Sequence, residues 1–321
     1  MMFKNNPGML TRISGFSLIE LMVALLIGLF LIAGVFKAYV NGRASQDVVS
    51  EQVDMLDNAR FALETISADI RQAGVFGRVT DPFRIDRTST MPAVPTECAA
   101  GWAVNVDRPV MAFDEQDPYG GPCVNNYFQG DFLELRGSLR DPVAPLANDR
   151  IYINSDVNNA QFFYVAASPN ISLTARDYDY YVTAYYIASD SDVAGDNLPS
   201  LHRISLQPGG LVVDQVLLAG VENFQVQIGL SIDDNDDGVT DRISYVDPQN
   251  VTDWSVAKSV QVWLIVRAGT PSKLLTDTTV NANIAGQAVA LTDAVSFTAP
   301  GGANDGLRRV VVSTVAVMRE L

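Results

Sequence analysis

The sequence predicts an α+β fold in which one long N-terminal helix packs on a mainly antiparallel β head. Three observations predict it: an apolar run broken by one carboxylate, an amphipathic helical pattern that continues from it, and a long remainder of alternating, β-branched segments. Helices repeat apolar residues every three to four positions, and strands repeat them every two. We therefore divide the chain into a leader peptide (1–15), a membrane helix (16–40), the amphipathic half of the same helix (41–76) and a head domain (77–321).

The apolar run from Phe16 to Val40 is long enough to cross a membrane, since about 20 apolar residues span the ~30 Å hydrocarbon core. Its single carboxylate, Glu20, costs on the order of 2.5–3.5 kcal/mol in that environment and is therefore a candidate functional residue. A secretory signal peptide carries a small-residue cleavage site after its apolar stretch, and no such site follows here. A simple membrane anchor is the remaining alternative, but it gives no reason for Glu20.

The charge distribution predicts the orientation of this helix. Lys4 and Arg12 precede the apolar run, and basic flanks stay on the cytoplasmic side. We therefore expect a single-pass membrane protein whose head is periplasmic or extracellular. The formal net charge of the whole chain is −15. Such an acidic surface argues against nucleic acid as a partner, because nucleic-acid binding relies on basic patches.

Residues 15–21 read Gly-Phe-Ser-Leu-Ile-Glu-Leu, and this segment resembles the type IV prepilin motif. The resemblance implies cleavage between Gly15 and Phe16 by a prepilin peptidase, followed by N-methylation of Phe16. It also implies a role for Glu20, whose carboxylate would neutralise the new ammonium group of a neighbouring subunit's Phe16 during assembly. Opposite charges attract each other far more strongly in a low dielectric than in water.

An amphipathic pattern continues the helix beyond the membrane segment. Apolar residues recur at steps of three and four, which is typical of one buried helix face; they are Val49, Val53, Leu56, Ala59, Leu63, Ile66, Ile70 and Ala73. Glycines at 74 and 77 give a stop signal. The pattern therefore predicts a helix to about residue 73 whose second half carries the head.

The head is predicted to be mainly β-sheet, because β-branched and alternating residues dominate its apolar segments. The candidate strands are 131–138, 161–168, 178–189, 201–206, 212–232, 259–269 and 308–321. Turn sequences separate them, such as Gln207-Pro208-Gly209-Gly210 and Pro300-Gly301-Gly302. The length of the head is compatible with one elaborated domain or two closely fused sheets.

The order of these segments carries a second resemblance. YYIAS and LHRISL are followed by LLAGVENFQVQIGL, an Asp-rich loop, VQVWLIVRA and LRRVVVSTVAVMREL. This order resembles the PilW-type minor pilins, which are related to the J-type minor pseudopilin of type II secretion. The resemblance implies a pilin-like fold and a sparse subunit of a pilus tip complex that primes filament assembly in a Gram-negative bacterium.

The same resemblance implies the partners. The expected partners are other minor pilins, the major pilin, a large tip-associated protein and the prepilin peptidase. The final location would be the extracellular pilus tip. Two alternatives stay open: a calcium-dependent tip adhesin, and a minor pseudopilin of a type II secretion system.

The two cysteines, Cys98 and Cys123, both fall in the part of the chain predicted to be exported. Because that compartment is oxidising, we expect one disulfide, with free or redox-active thiols as the alternative. A bridge closing a loop of this size stabilises by roughly 3 kcal/mol in the chain-entropy model. The intervening segment is rich in Pro, Gly and Asp, and we expect it to depend on the disulfide for its order.

An acidic segment predicts a calcium site. Its candidate ligands follow the pattern D-x-[DN]-x-[DN]-G, and oxygen ligands of this kind suit calcium; they are Asp233, Asn235, Asp237, the Val239 carbonyl and Asp241. The final Glu of an EF-hand loop is replaced by Ser244, and the flanking segments look like strands. We therefore expect a shorter calcium loop, with a solvated acidic hairpin turn as the alternative.

The sequence gives little basis for an enzyme. It contains no nucleophile elbow, phosphate-binding loop or zinc motif. The one histidine, His202, lies in the predicted strand LHRISL, where a structural role is the expected one.

Overall fold

A computed structural model describes residues 17–79, 82–86, 98–121, 123–164, 168–235, 237–268, 307 and 309–318. The chain divides into two compact units, the first ending at Glu51 and the second beginning at Gln52. One helix, α1 (Leu18–Gln72), contributes to both units. The second unit contains all of the described strands.

Helix α1 begins after Ser17, whose carbonyl accepts hydrogen bonds from the Glu20 and Leu21 amides at 3.0 and 3.1 Å. It ends where the chain turns at Gly74, which has a φ of 82° that favours glycine. The Gly74 amide then donates to the Arg136 carbonyl at 2.9 Å. The end of the helix is thereby tied to the head through the backbone.

The described part of the head contains the following strands, numbered in chain order: β1 (Ile85–Asp86), β2 (Val110–Phe113), β3 (Phe132–Ser138), β4 (Ile151–Ser155), β5 (Ala160–Tyr164), β6 (Arg176–Ala188), β7 (Ser200–Gln207), β8 (Leu211–Ala219), β9 (Val221–Ile232), β10 (Arg242–Val246), β11 (Ala257–Arg267) and β12 (Arg309–Val317). Short 3₁₀ turns occur at Pro82–Arg84, Trp102–Val104, Pro208–Gly210, Pro248–Asn250 and Trp254–Val256.

These strands form two sheets. The larger has the order β1-β5-β4-β6-β3-β2, with β7 paired to β6 and β8 paired to β7. The smaller has the order β10-β9-β11-β12. Strands β1 and β5 pair in parallel, and the other pairs are antiparallel. The predicted class, one long N-terminal helix and a mainly antiparallel β head, is confirmed.

Two apolar clusters hold the head together. The first joins the last turns of α1 to both sheets, with Ile66 and Ile70 packed among residues such as Leu135, Phe224 and Leu264. The second lies on the opposite face of the larger sheet, beneath the segment that contains both cysteines. The larger sheet is therefore covered on both faces at β3, which explains why β3 is buried along its whole length.

The predicted apolar stripe of α1 is wrong at its first two positions. Val49 and Val53 are 59% and 49% exposed, and burial against the head begins at Met55. The helix also buries Ala62 and Ser67, which the stripe did not include. The exposed and the buried apolar residues of α1 repeat with the same period, so the pattern could not indicate where packing begins.

The strand predictions need three corrections. The segment 212–232 is two strands, because the chain reverses at Gly220 with a φ of 82° between β8 and β9. Strands β1, β2, β4 and β10 were not predicted; each has no more than five residues, too few to show clear alternation. The ends of three predicted strands, at 165–167, 269 and 319–321, lie outside the described residues, as does the predicted turn at 300–302.

Candidate functional site

The first unit presents an apolar helix surface that no other described residue covers. The helix includes an 18-residue window with a mean hydropathy of 2.7, none of it buried, so it is long and apolar enough to cross a membrane. Leu18, Phe30 and Ile32 each expose at least 70% of their surface. An apolar surface of this size needs lipid or protein contacts, because soluble monomers rarely expose one.

Glu20 lies in the first turn of α1 and is exposed. A carboxylate is favoured at this position, because the amides at a helix N-terminus carry partial positive charge. Gly15 and Phe16 lie outside the described residues. Cleavage, methylation and the pairing of Glu20 with a neighbouring Phe16 therefore stay predictions.

A polar cluster joins α1 to the larger sheet. One carboxylate oxygen of Asp69, Oδ2, accepts hydrogen bonds from the Tyr185 hydroxyl at 2.5 Å and from Arg203 Nη2 at 2.8 Å. The Tyr181 hydroxyl donates to the Asp69 carbonyl at 3.2 Å. Burial, and then the charge of Asp69, raise the pKa of the Tyr185 hydroxyl well above its usual range. The tyrosine therefore stays a donor, and the cluster anchors the helix to the head.

The predicted disulfide between Cys98 and Cys123 is present, with 5.1 Å between the two Cα atoms. It closes the segment 98–123, which also contains strand β2 and a 3₁₀ turn. The expectation that this segment depends on its disulfide alone is corrected: Trp102, Ala103 and Val106 are buried in the second apolar cluster.

A buried ion pair supports the same segment. Arg136 Nη2 donates to Glu134 Oε2 at 2.7 Å, and both side chains are almost completely buried. Glu134 Oε1 accepts from Trp102 Nε1 at 2.9 Å and from the Tyr119 hydroxyl, while Arg136 Nε donates to the Trp102 carbonyl at 2.8 Å. Burial is the main cause that raises the pKa of the Tyr119 hydroxyl above its usual value, and the charge of Glu134 is the second cause.

The sequence analysis missed this pair. Glu134 and Arg136 alternate with Leu133 and Leu135 in β3, which is typical of a strand with one face in solvent. The available signal was Trp102 in the preceding segment, since a large side chain with one polar hydrogen needs both cover and an acceptor.

His202 belongs to a hydrogen-bonded cluster between β6, β7 and β8. Its Nδ1 lies 2.9 Å from Asp214 Oδ1, and the Tyr186 hydroxyl donates to Asp214 Oδ2 at 2.6 Å. Asn125 Nδ2 donates to the same Asp214 oxygen at 3.1 Å. Burial lowers the pKa of His202, but its hydrogen bond with Asp214 and the charge of that carboxylate outweigh burial, so the pKa is raised. This arrangement links three strands.

The predicted calcium ligands lie in the turn between β9 and β10. The carboxylates accept hydrogen bonds within the turn: Asp233 Oδ2 from the Gly238 amide at 2.7 Å, and Asp237 Oδ1 from the Val239 amide at 2.8 Å. Asp241 Oδ2 accepts from the Asp234 amide at 2.8 Å. The turn is exposed, and Asp236 lies outside the described residues.

The oxygen atoms of this turn are of the type that a hard cation prefers, because they belong to carboxylates, a side-chain amide and a backbone carbonyl. However, among the residues that the structure describes, no group of three or more His, Cys, Asp or Glu side chains is arranged to hold a metal ion. Calcium binding therefore stays a prediction.

Two family models match the chain. The prokaryotic N-terminal methylation motif matches residues 10–36, and the model of type IV pilus-assembly protein W matches residues 184–319, from the middle of β6 through β12. The motif and the helix-plus-sheet fold define a type IV pilin-like protein. Within that class, residues 184–319 match the PilW model, and this match together with the methylation motif supports a PilW-type minor pilin. The family and the fold are those of structural subunits.

Among solved structures, a type IV-like pilin from Thermus thermophilus matches with 14% sequence identity and a TM-score of 0.21, over 54% of this chain and 85% of that one. No curated protein matches the chain.

Proposed function

We propose that this protein is a minor pilin that primes type IV pilus assembly as part of a tip or initiation complex. The observation that carries the proposal is the combination in one chain of an uncovered apolar helix, with one carboxylate in its first turn, and a PilW domain. The helix must be covered by lipid before assembly and by other subunits afterwards, because water does not tolerate such a surface.

The proposed pathway begins at the inner membrane, with the head in the periplasm. A prepilin peptidase cleaves after Gly15 and Phe16 becomes N-methylated, as the methylation motif over residues 10–36 suggests. Glu20 then pairs with the ammonium group of a neighbouring subunit and sets the register in which the subunit leaves the membrane. The partners are other minor pilins, the major pilin and a large tip-associated protein.

The anchoring of α1 supports a role in assembly. Asp69 and its partners hold the helix on the larger sheet, so a force on the helix is passed directly to the head. A subunit that is pulled out of a membrane and packed into a filament needs this connection.

Immunogold labelling of sheared, extended pili tests the proposed location. A polyclonal antibody against the head should label one end of a filament, because a priming subunit enters first. Parallel mass spectrometry of the labelled material should find a mature chain that begins with N-methylated Phe16. Label that remains with the membrane and never appears on filaments would contradict the proposal.

The two alternatives predict other phenotypes on deletion. An adhesin would leave pili normal in number but unable to attach, and a pseudopilin would leave pili intact and stop export of secreted enzymes. Attachment and secretion assays on the deletion strain therefore separate the three functions.

A further inference from the structure

Two cavities follow one groove between helix α1 and strand β12, and Arg71 lines both. The larger has a volume of about 640 Å³ and extends from the end of α1 to Leu139 and Val317. The smaller, of about 240 Å³, lies between Arg60 on the helix and Ser313 on the strand. All of these residues belong to the second unit. We call this feature the α1–β12 groove.

Strand β12 forms one side of the groove and is an edge strand within the described part of the chain. It pairs with β11 from Arg309 to Val317 and with no other described strand. Val315 and Val317 are 45% and 60% exposed. The strand contains neither lysine nor proline, which commonly block edge pairing, so its sequence permits a further strand at its outer edge.

The charge of the groove differs in sign from that of the chain as a whole. Three arginines line it, against two acidic residues, Glu64 and Asp141, whereas the chain has a net charge of −15. Of the three arginines, Arg60 forms an ion pair, with 3.7 Å between its Nη1 and Asp57 Oδ1. Arg71 and Arg140 are exposed, and neither has an ion-pair partner among the described residues. The groove therefore favours an acidic ligand.

We propose that the α1–β12 groove binds an extended acidic segment of another protein chain, which adds to the outer edge of β12 as a strand and pairs its carboxylates with Arg71 and Arg140. Strand addition supplies affinity through the backbone, and pockets for alternate side chains supply specificity. Leu139, Val75 and Val317 offer apolar contacts in the larger cavity. A small anion would use the arginines but neither the strand edge nor these apolar contacts.

This inference does not depend on the priming role, because it concerns what the head recognises. It would hold equally for a subunit that joins a pilus and for one that serves secretion. Failure of the binding test would contradict the proposed ligand of the groove but not the priming role. Normal piliation in a deletion strain would contradict the priming role but not the proposed ligand.

The test uses the full chain in detergent micelles and a fluorescein-labelled nine-residue peptide that alternates valine with glutamate. Fluorescence anisotropy at low salt should detect binding of this peptide and not of its valine–lysine counterpart. The double variant Arg71→Ala/Arg140→Ala should weaken binding by roughly three- to tenfold, since exposed charge pairs are individually weak and screened by salt. The matched control, Arg150→Ala/Arg176→Ala, removes two exposed arginines that do not line the groove and should leave binding unchanged.

Backbone methylation of the peptide tests strand addition without altering the protein. One peptide carries N-methyl groups on its odd-numbered residues and a second carries them on its even-numbered residues. Each peptide therefore lacks the backbone N–H donors along one of its two edges. We expect at least one of them to lose binding by roughly tenfold, because a paired strand needs the donors that face β12. Equal binding of both methylated peptides and the parent would overturn strand addition.

Three other results of the binding experiments would also overturn the proposal. They are equal binding of the valine–lysine peptide, an equal loss of binding in the control double variant, and acidic-peptide binding that appears only after residues 319–321 are deleted. The last result would make the chain's own end the occupant. The wild type could also form a dimer in micelles that the double variant Arg71→Ala/Arg140→Ala converts to a monomer. That result would mean that a second copy of this chain occupies the groove, and it would contradict binding of an acidic segment from another protein.

Discussion

Glu20 is the one acidic residue in the first turn of α1, and apolar side chains surround it along the sequence. In the proposed assembly its carboxylate lies beside the ammonium group of a neighbouring subunit in a low dielectric. Leaving one charge of a buried pair uncompensated costs on the order of 3–5 kcal/mol. We therefore expect Glu20→Ala to insert into the membrane normally and to be recovered in sheared pili at least about tenfold less than the wild type.

The control for this experiment is Asp54→Ala, which removes an exposed carboxylate from the amphipathic half of the same helix. It should enter pili at the wild-type level. Recovery of Glu20→Ala in pili at the level of this control would contradict the assigned role.

His202 gives the head a predictable dependence on pH. Because its pKa is raised in the folded protein, the folded state binds its proton more tightly than the unfolded state does. The resulting stabilisation is complete below the unfolded pKa of about 6.5 and is lost as the pH rises through the folded pKa. The chain has one histidine, so this contribution can be isolated by substitution.

We expect the difference in melting temperature between wild type and His202→Gln to be larger at pH 6 than at pH 8.5. Circular dichroism of the full chain in micelles measures it. A difference that stays constant, or grows, with rising pH would show that protonated His202 does not stabilise the fold through Asp214.

At the scale of elements, the sequence predicted the helix and strands that are long enough to show a periodic apolar pattern. The long helix and the longer strands, β3, β6, β7, β9 and β11, lie within or close to the predicted ranges, because their apolar residues repeat over enough positions to be recognised. Four short strands, β1, β2, β4 and β10, could not be recognised. The turn at Gly220 between β8 and β9 was missed because the apolar residues alternate in the same way before and after it.

What the sequence could not predict is which polar residues are buried. Glu222 and Arg309 form an ion pair between β9 and β12, with Nε and Oε2 2.5 Å apart and both side chains fully buried. The two residues are 87 positions apart, and nothing local indicates that they meet. The same is true of Asp69 and Arg203, which hold α1 on the sheet.

The disulfide segment leads to a prediction about stability. Replacing Cys98 and Cys123 by serine removes a constraint on a 25-residue separation. In the chain-entropy model, this should lower the free energy of unfolding by roughly 3 kcal/mol. Since Trp102 and the Glu134–Arg136 pair also hold the segment, we expect the double-serine variant to fold, with Trp102 still buried.

Denaturation of the full chain in micelles, followed by tryptophan fluorescence, measures this change. A variant that never folds would show that Trp102 and the buried pair are not sufficient to hold the segment without the disulfide. A variant as stable as the wild type would show that the disulfide is dispensable.

The turn between β9 and β10 tests the calcium prediction. If it binds calcium, the wild type should melt at a higher temperature with millimolar calcium than with chelator, because a ligand that binds only the folded state stabilises it. Asp237→Ala should abolish this difference, since Asp237 supplies an expected ligand. Ser255→Ala, at an exposed 3₁₀ turn elsewhere in the head, should preserve it. Equal melting of the wild type with calcium and chelator would contradict the site.

At the scale of the whole molecule, the two units differ in what covers their apolar residues. The first exposes an apolar helix that requires lipid or neighbouring subunits, and the second has its own apolar clusters and buried ion pairs. A protein built in this way suits a subunit that moves from a membrane into a filament. In the proposed function, it does so early and in few copies, and helps to start the filament.

A count of surface pili in a deletion strain, with the retraction motor active and disabled, tests the priming role most directly. The proposed function predicts few pili with retraction active and partial recovery with retraction disabled, because loss of a primer slows initiation without blocking extension. Complementation with the wild-type chain should restore pili in the first background. Normal numbers of pili in both backgrounds would contradict the priming role.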